Sequence, residues 1–374
     1  MKNKKVLFIL SILLIPVLCS AANGGEFERG LRHYYRGELE EAGLYFQAAI
    51  DADTTQARPY FFLGNVHRRE GNYHSAKEAY REALERDPGY RTVRERLAEL
   101  SFDLEDWQEA SRQYRELVEV EPRNFDYLYR LGLVYFRLEE FEDARKYFLR
   151  AREQRPRSDR IHYYLGRMSL EKGELLDALS RFERALQINP SEGEFYFYRG
   201  LALFREEDYL REDDDNWESA DNFRRAIDLG YETPRTRFML ANSFLNRGLF
   251  SLRQGHDERG IERLRSAVSQ YQNVLATDWE ASNAYHNMGV AYLGIGRLTL
   301  ARRAVDEAIE IEPTVVFFHD TLGLIHYRLG EFDKALSAWN LCRELDSDYE
   351  ENPFGDLLEL EPLSSRIREA RIRR

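Results

Sequence analysis

Eight histidines, two cysteines and a run of three aspartates are the groups in this 374-residue chain whose types lend themselves to chemistry. Their spacing argues against most of it. His319 and His326 stand seven apart on one helical pattern, but no acid or cysteine accompanies them at the spacing of a metal site. Asp213, Asp214 and Asp215 sit in an acidic stretch that lacks the alternating oxygen ligands, the glycine and the closing glutamate of a calcium loop, so a solvated loop is expected there. Cys342 falls in an apolar helical pattern and reads as a packed thiol. No glycine-rich phosphate loop, zincin motif or nucleophile elbow occurs. No catalytic residue, metal or cofactor is expected, and the protein is not expected to be an enzyme. The net charge of −12 argues against a phosphate-backbone partner, so no nucleic acid is expected either.

What is left is a binding surface, and the elements that must position it are legible as a period. Gly30, Gly64, Ala98, Gly132, Gly166 and Gly200 recur at one constant interval, and Ala42, Ala76, Ala110, Ala144 and Ala178 keep the same step. One helical turn after each of these alanines comes a ring: Phe46, Tyr80, Tyr114, Phe148 and Phe182. Two helices cross closely only where the contact residue is small, and the ring fills the space beside the crossing. Pro88, Pro122, Pro156 and Pro190 end successive units, because proline does not continue a helix. The interval lengthens from Gly200 to Ala241 and again from Ala241 to Gly289, then returns to its first value from Gly289 to Gly323. The first addition is one heptad and the second is two. The first lies within 206–217. For the second, moving the turn from Gly248 to Gly255 and His256 lengthens both helices by two turns and gives a hairpin over 249–263 that projects from the stack; the alternative is a short helix that ends at Gly248 and is followed by a loop.

The unit at 57–90, with Tyr60, Leu63, Gly64, His67, Gly71, Tyr73, Ala76, Tyr80, Ala83 and Pro88 as landmarks, resembles the tetratricopeptide repeat, a 34-residue helix–turn–helix. The resemblance extends over most of the chain. It implies an all-α, right-handed α-solenoid, a superhelix of nine such units with the sixth and seventh expanded. Repeats one to five occupy 23–190, the expanded repeats six and seven 193–280, and repeats eight and nine 282–349. A solenoid has no single core, and 43% apolar with 32% charged residues suits a thin two-layered structure. The segment 350–374 is a tail, basic at its end, expected to fray, or to bind an anionic surface or the protein's own acidic face.

The same resemblance implies where a partner sits. In this family the first helix of each unit lines a concave groove, with its fifth, ninth and second positions pointing inward. Carried over, the fifth positions include Phe61, Tyr129, Tyr163, Phe197, Phe238, His286 and, in the last unit, Asp320; the ninth give Asn65, Arg167 and Asn242, and the second Arg58, Arg160 and Arg235. An aromatic stripe edged by arginine and asparagine suits an extended peptide: rings bury apolar area at small entropic cost, and Arg and Asn bond carbonyls or carboxylates. No lysine stands at a fifth position, which argues against the carboxylate clamp of chaperone-tail receptors. A protein or peptide partner is expected, with a glycan-binding or glycan-processing accessory role, or a regulatory subunit of a separate enzyme, as the alternatives.

Three lysines, a largely apolar run over 6–18 and then Ser20, Ala21 and Ala22 read as a secretory signal peptide over 1–21. Its removal takes three lysines and no acid, lowering the net charge from −12 to −15. The expected location is the periplasm or cell envelope. Leu18 is too large for a lipobox before Cys19, so membrane association is expected only through lipidation at Cys19 or through a complex.

Overall fold

The computed structural model describes residues 25–206, 217–277 and 279–374. The signal segment with Cys19 and the acidic cluster at Asp213, Asp214 and Asp215 lie outside the described residues. Among the described residues all regular structure is helical, in two compact units, one ending at Arg157 and one spanning Ser158–Arg374.

The first unit holds four helix pairs: α1 (25–36) with α2 (Leu39–Ala52), α3 (Ala57–Arg69) with α4 (Tyr73–Arg86), α5 (Arg91–Asp103) with α6 (Trp107–Val120), and α7 (Phe125–Arg137) with α8 (Phe141–Gln154). The second holds five: α9 (Asp159–Glu171) with α10 (Leu175–Ile188), α11 (Gly193–Arg205) with α12 (Glu218–Asp228), α13 (Pro234–Arg253) with α14 (Asp257–Leu275), α15 (Ala281–Gly294) with α16 (Leu298–Ile311), and α17 (Val316–Arg328) with α18 (Phe332–Leu345). Two further helices follow, the one-turn α19 (Gly355–Leu358) and α20 (Leu363–Arg373).

The boundaries have local causes. Asp106, Asn124 and Thr233 accept hydrogen bonds from backbone N–H groups of the first turns of α6, α7 and α13, and Pro234 opens α13 where its missing N–H is not needed. Pro88, Pro122, Pro156, Pro190 and Pro313 each stand just beyond a second helix. The small-to-large contact that set the period is present. A Cβ built on Gly30, Gly64, Gly132 or Gly166 would come within 3.0 Å of the ring of Phe46, Tyr80, Phe148 or Phe182 respectively. Gly200 meets Phe223 in the same way across the lengthened sixth unit.

The seventh unit forms the expected long hairpin. α13 has 20 residues and α14 has 19, and the chain turns at Gly255, whose φ of +80° is a left-handed conformation that side-chain-bearing residues rarely adopt. Gly248 is therefore helical, and it repeats the small-to-large contact one heptad further out, against Leu264, while Gly260 receives Leu252. The hairpin does not project freely, however. Leu249, Leu252 and Leu264 close on Gly294 at the end of α15, and Arg253 donates to the carbonyl of Asp356 at 3.1 Å.

The tail does not fray, and its arginines meet acids of the chain itself, Arg366 at Asp320 and Arg374 at Asp333. Leu363 and Ala370 of α20 are fully buried and Ile367 nearly so, against α18. An apolar residue at 363, 367 and 370 is a helix-face pattern that outweighs the arginines around it. Of those arginines, Arg368, Arg371, Arg373 and Arg374 remain exposed and Arg366 is buried.

Candidate functional site

In the first unit the four expected groove residues have unequal access. Arg58 is exposed, its guanidinium 4.9 Å from the Phe27 ring. Phe61 and Tyr129 are half-buried; Phe61 packs among Phe62, Tyr80 and Tyr90, and Tyr129 stacks on Phe125 at 5.7 Å. Asn65 is buried because its Oδ1 accepts a 2.7 Å bond from the Tyr80 hydroxyl, so it braces the helix pair.

In the second unit the fifth position divides. Phe238 is half-buried against Tyr271 and Trp279. Tyr163, Phe197 and His286 are 0%, 1% and 0% exposed, and so present no surface to a partner in this structure. The cause is the following repeat. The ring of Phe195 stacks on Tyr163 at 4.9 Å, and Phe318 stacks on His286 at 4.8 Å, in each case from the third position of the next first helix. These rings are the cement between repeats. Burial pushes the Tyr163 phenol far above its ordinary range.

The second and ninth positions keep access and converge on the buried rings. Arg160 pairs with Glu192 and Glu194 at 2.9 and 3.1 Å and lies 5.3 Å from the Phe195 ring. Arg167 lies 4.5 Å from the Tyr198 ring and donates to the Tyr163 hydroxyl at 3.4 Å. Arg235, exposed, lies 5.5 Å from the Phe197 ring. Two half-buried tyrosines complete this face and were missed by the fifth-position reading: Tyr164, the residue after Tyr163, and Tyr231, in contact with Phe197. A ring next to the fifth position was the only sequence signal for Tyr164. Tyr231 lies in the connection before α13, where the repeat pattern assigns no role.

Asn242 and His286 belong to a hydrogen-bonded chain that crosses three repeats. Tyr271 donates to Asn242 Oδ1 at 2.6 Å, and so does Asn287 Nδ2 at 3.0 Å. His286 Nδ1 lies 3.1 Å from Asn287 Oδ1, its Nε2 lies 2.9 Å from Thr321 Oγ1, and Asn352 Nδ2 donates to that same hydroxyl at 3.3 Å. The Thr321 hydroxyl also lies 3.0 Å from the Phe317 carbonyl, so its single proton is shared between that carbonyl and His286 Nε2, while a proton on His286 Nδ1 serves Asn287. Burial outweighs the Asn287 bond and the Asp320 charge and lowers the His286 pKa to about 4. The unfolded chain thus takes this proton first as pH falls. The stability contribution is complete above the ordinary value near 6.5 and is lost progressively toward pH 4, about 3 kcal/mol in all. Thermal melts at pH 7 and 4.5 are expected to show a loss in the wild type that is smaller by about 2–3 kcal/mol in His286→Gln; equal losses would remove His286 from the acid response.

His319, His326 and the thiol are structural. His319 donates to the Pro313 carbonyl at 2.7 Å, and His326 meets Glu331 at 2.6 Å. Burial raises the Cys342 thiol to about 12. Among the described residues no group of three His, Cys, Asp or Glu side chains is placed to hold a metal ion.

The last fifth position is Asp320, fully buried on α17. Its carboxylate accepts two bonds from Arg366 of α20, at 2.5 and 3.0 Å, one from Asn352 at 3.0 Å and one from Tyr349 at 3.1 Å.

Comparison with known proteins agrees with this geometry. Profiles described as tetratricopeptide repeat match residues 57–90, 95–159, 129–187, 165–212 and 252–315, together more than half of the chain. Superkiller complex protein 3 of Mus musculus is 26% identical over 151 residues, which make up 36% of this chain and 9% of that protein, so this chain spans under a tenth of that relative's length. A solved tetratricopeptide repeat protein from Parabacteroides merdae is 18% identical with a TM-score of 0.45, over 72% of this chain and 99% of that one. YrrB, a TPR protein with an unusual peptide-binding site, is 24% identical with a TM-score of 0.42, over 51% of this chain and 95% of that one. Nine helix pairs among the described residues, the small-to-large contact at their crossings and the profile matches give one conclusion: the chain belongs to the tetratricopeptide repeat family, whose members are scaffolds for protein–protein interaction.

Proposed function

We propose that this chain is a non-catalytic scaffold of the bacterial cell envelope that holds an extended peptide or protein segment on its first helices. One observation carries the reading. On repeats five to seven, Arg160, Arg167 and Arg235 retain access while standing against rings that are themselves locked between repeats. A guanidinium held in place by a ring loses little freedom on meeting a carbonyl or carboxylate, and Tyr164 and Tyr231 add apolar area beside it. Export rests on the basic, apolar and small-residue succession at 1–21.

Arg167→Ala with Arg235→Ala is expected to weaken binding to the peptides selected on an array by about tenfold or more, with helicity by circular dichroism retained. Undiminished array binding would move the site elsewhere. For export, the intact mass of the protein recovered from cells is expected to begin after Ala21 or Ala22. A chain retaining 1–21 would overturn the location, and a lipid on Cys19 would replace soluble export with an anchor.

A further inference from the structure

Connections between repeats are short here: four residues separate α4 from α5, α6 from α7, α10 from α11 and α16 from α17. Seventeen separate α18 from α20, although α20 packs directly on α18. The additional length crosses the first helices of three repeats in reverse order. Asn352 reaches Asp320 and Thr321 on α17; Phe354 then lies 6.0 Å from the His286 ring on α15. Arg253, at the end of α13, donates to the Asp356 carbonyl and faces the Glu359 carboxylate at 3.4 Å.

The segment lies on these helices as a ligand would. Asn352 is its one buried residue between 350 and 362, Phe354, Leu357 and Leu358 are only partly covered, and α19 buries no residue. The segment curls around a surface cavity lined by its own residues, Glu351, Pro353, Leu360 and Pro362 among them. The deep anchoring lies outside it, in Tyr349, Arg366 and the buried face of α20. The segment's hydrogen bonds to α20 come from its two ends, Glu350 accepting from the Leu363 and Ser364 N–H groups and Glu361 accepting from Arg366, and not from the path between them.

We propose that the first-helix face of repeats seven to nine is a second peptide-binding site, held closed by the chain's own segment 350–360. Its outside occupant is an extended acidic peptide with an asparagine two residues before an aromatic residue. The chemistry is set by what the segment now offers. An amide bonds Asp320 and Thr321, a ring meets His286, and the Glu359 carboxylate faces Arg253; Glu350, Glu351, Asp356 and Glu359 make the segment acidic. A tethered occupant acts at millimolar effective concentration, so an untethered peptide binds in proportion to the fraction of molecules whose segment is released. This goes beyond the site on repeats five to seven, and either can fail without the other.

The test uses a fluorescent peptide of residues 350–360 as probe. It is titrated against the full chain and against a full-length variant whose residues 351–360 are a glycine–serine chain of equal length, with Glu350 and Glu361 kept because they bond α20. The variant, with α20 still protected from hydrogen exchange, is expected to bind at least about tenfold tighter than the wild type. A probe with Phe354→Ala is expected to lose that gain. Equal affinity for the two proteins, or equal binding of a scrambled probe, overturns the proposal. If the replaced variant does not fold, Phe354→Ala in the full chain carries the test: it is expected to admit the unmodified probe at least about tenfold better, and no gain overturns the proposal. Array binding through Arg167 and Arg235 is read with the segment in place and reports on the other site alone.

Discussion

Arg366→Ala is expected to remove about 3–5 kcal/mol from the C-terminal end of the second unit, because it strands a carboxylate that water does not reach. Asp320 has no exposed surface, and Arg366 is 6% exposed with its guanidinium 5.4 Å from the Trp339 ring. Without the arginine, only the neutral donors Tyr349 and Asn352 remain on the carboxylate. Arg366 Nε also donates to the Glu361 carbonyl at 2.8 Å, so the substitution loosens the entry to α20 as well. The expected readout is an early, separate step in chemical denaturation, with hydrogen exchange accelerated across Leu363–Arg373 and unchanged in the first unit. Arg366→Lys, which keeps the charge and loses the two-pronged geometry, is expected to fall between. Arg368→Ala, on the exposed side of the same helix, is expected to change stability by less than about 0.5 kcal/mol. A denaturation curve for Arg366→Ala that overlays the wild type would mean that this pair does not hold the tail.

The contrast between Asp320 and the glycine series explains what was legible beforehand. Gly64 and Tyr80 belong to the two helices of one unit, and their contact recurs, so the period exposes it. The hairpin turn at Gly255 was legible for the same reason: an insertion of two heptads preserves the apolar face only if both helices grow. The fifth position was not, because its burial is decided by the next unit. Tyr163 and Phe61 have the same place in their repeats, but the Phe195 ring covers Tyr163, whereas Phe61 is half-buried. The partner of Asp320 lies far downstream, past the end of the period, as one of five closely spaced arginines. The readable sign was the apolar face of Leu363, Ile367 and Ala370, which marks a docked helix and singles out Arg366 beside it. Composition weighed the arginines equally, and packing does not.

Tyr80→Ala is the second large effect, expected to cost about 3–5 kcal/mol and to spread beyond its own repeat. The Tyr80 ring is fully buried, and a Cβ built on Gly64 would approach it to 2.6 Å. It also shares a cluster with Tyr60 and Ala83 of its own repeat and with Val93 and Leu97 of the next. Truncation opens a cavity where α3, α4 and α5 meet and leaves Asn65 Oδ1 without its hydroxyl donor. Because each repeat in such an array is stabilised chiefly by its neighbours, hydrogen exchange is expected to rise on both sides of the lesion. Tyr80→Phe isolates the hydroxyl and is expected to cost about 1–3 kcal/mol, since the acceptor stays buried. The decisive comparison concerns size. Gly64→Ala is expected to destabilise the wild type by about 1–3 kcal/mol, because the ring has nowhere to retreat, and to cost much less in a Tyr80→Leu background, where the facing side chain is smaller. Urea denaturation of the four proteins of that cycle reads the coupling directly. Additive losses would mean that the close approach of a residue without a side chain to a ring on the paired helix is not what sets the period of this chain.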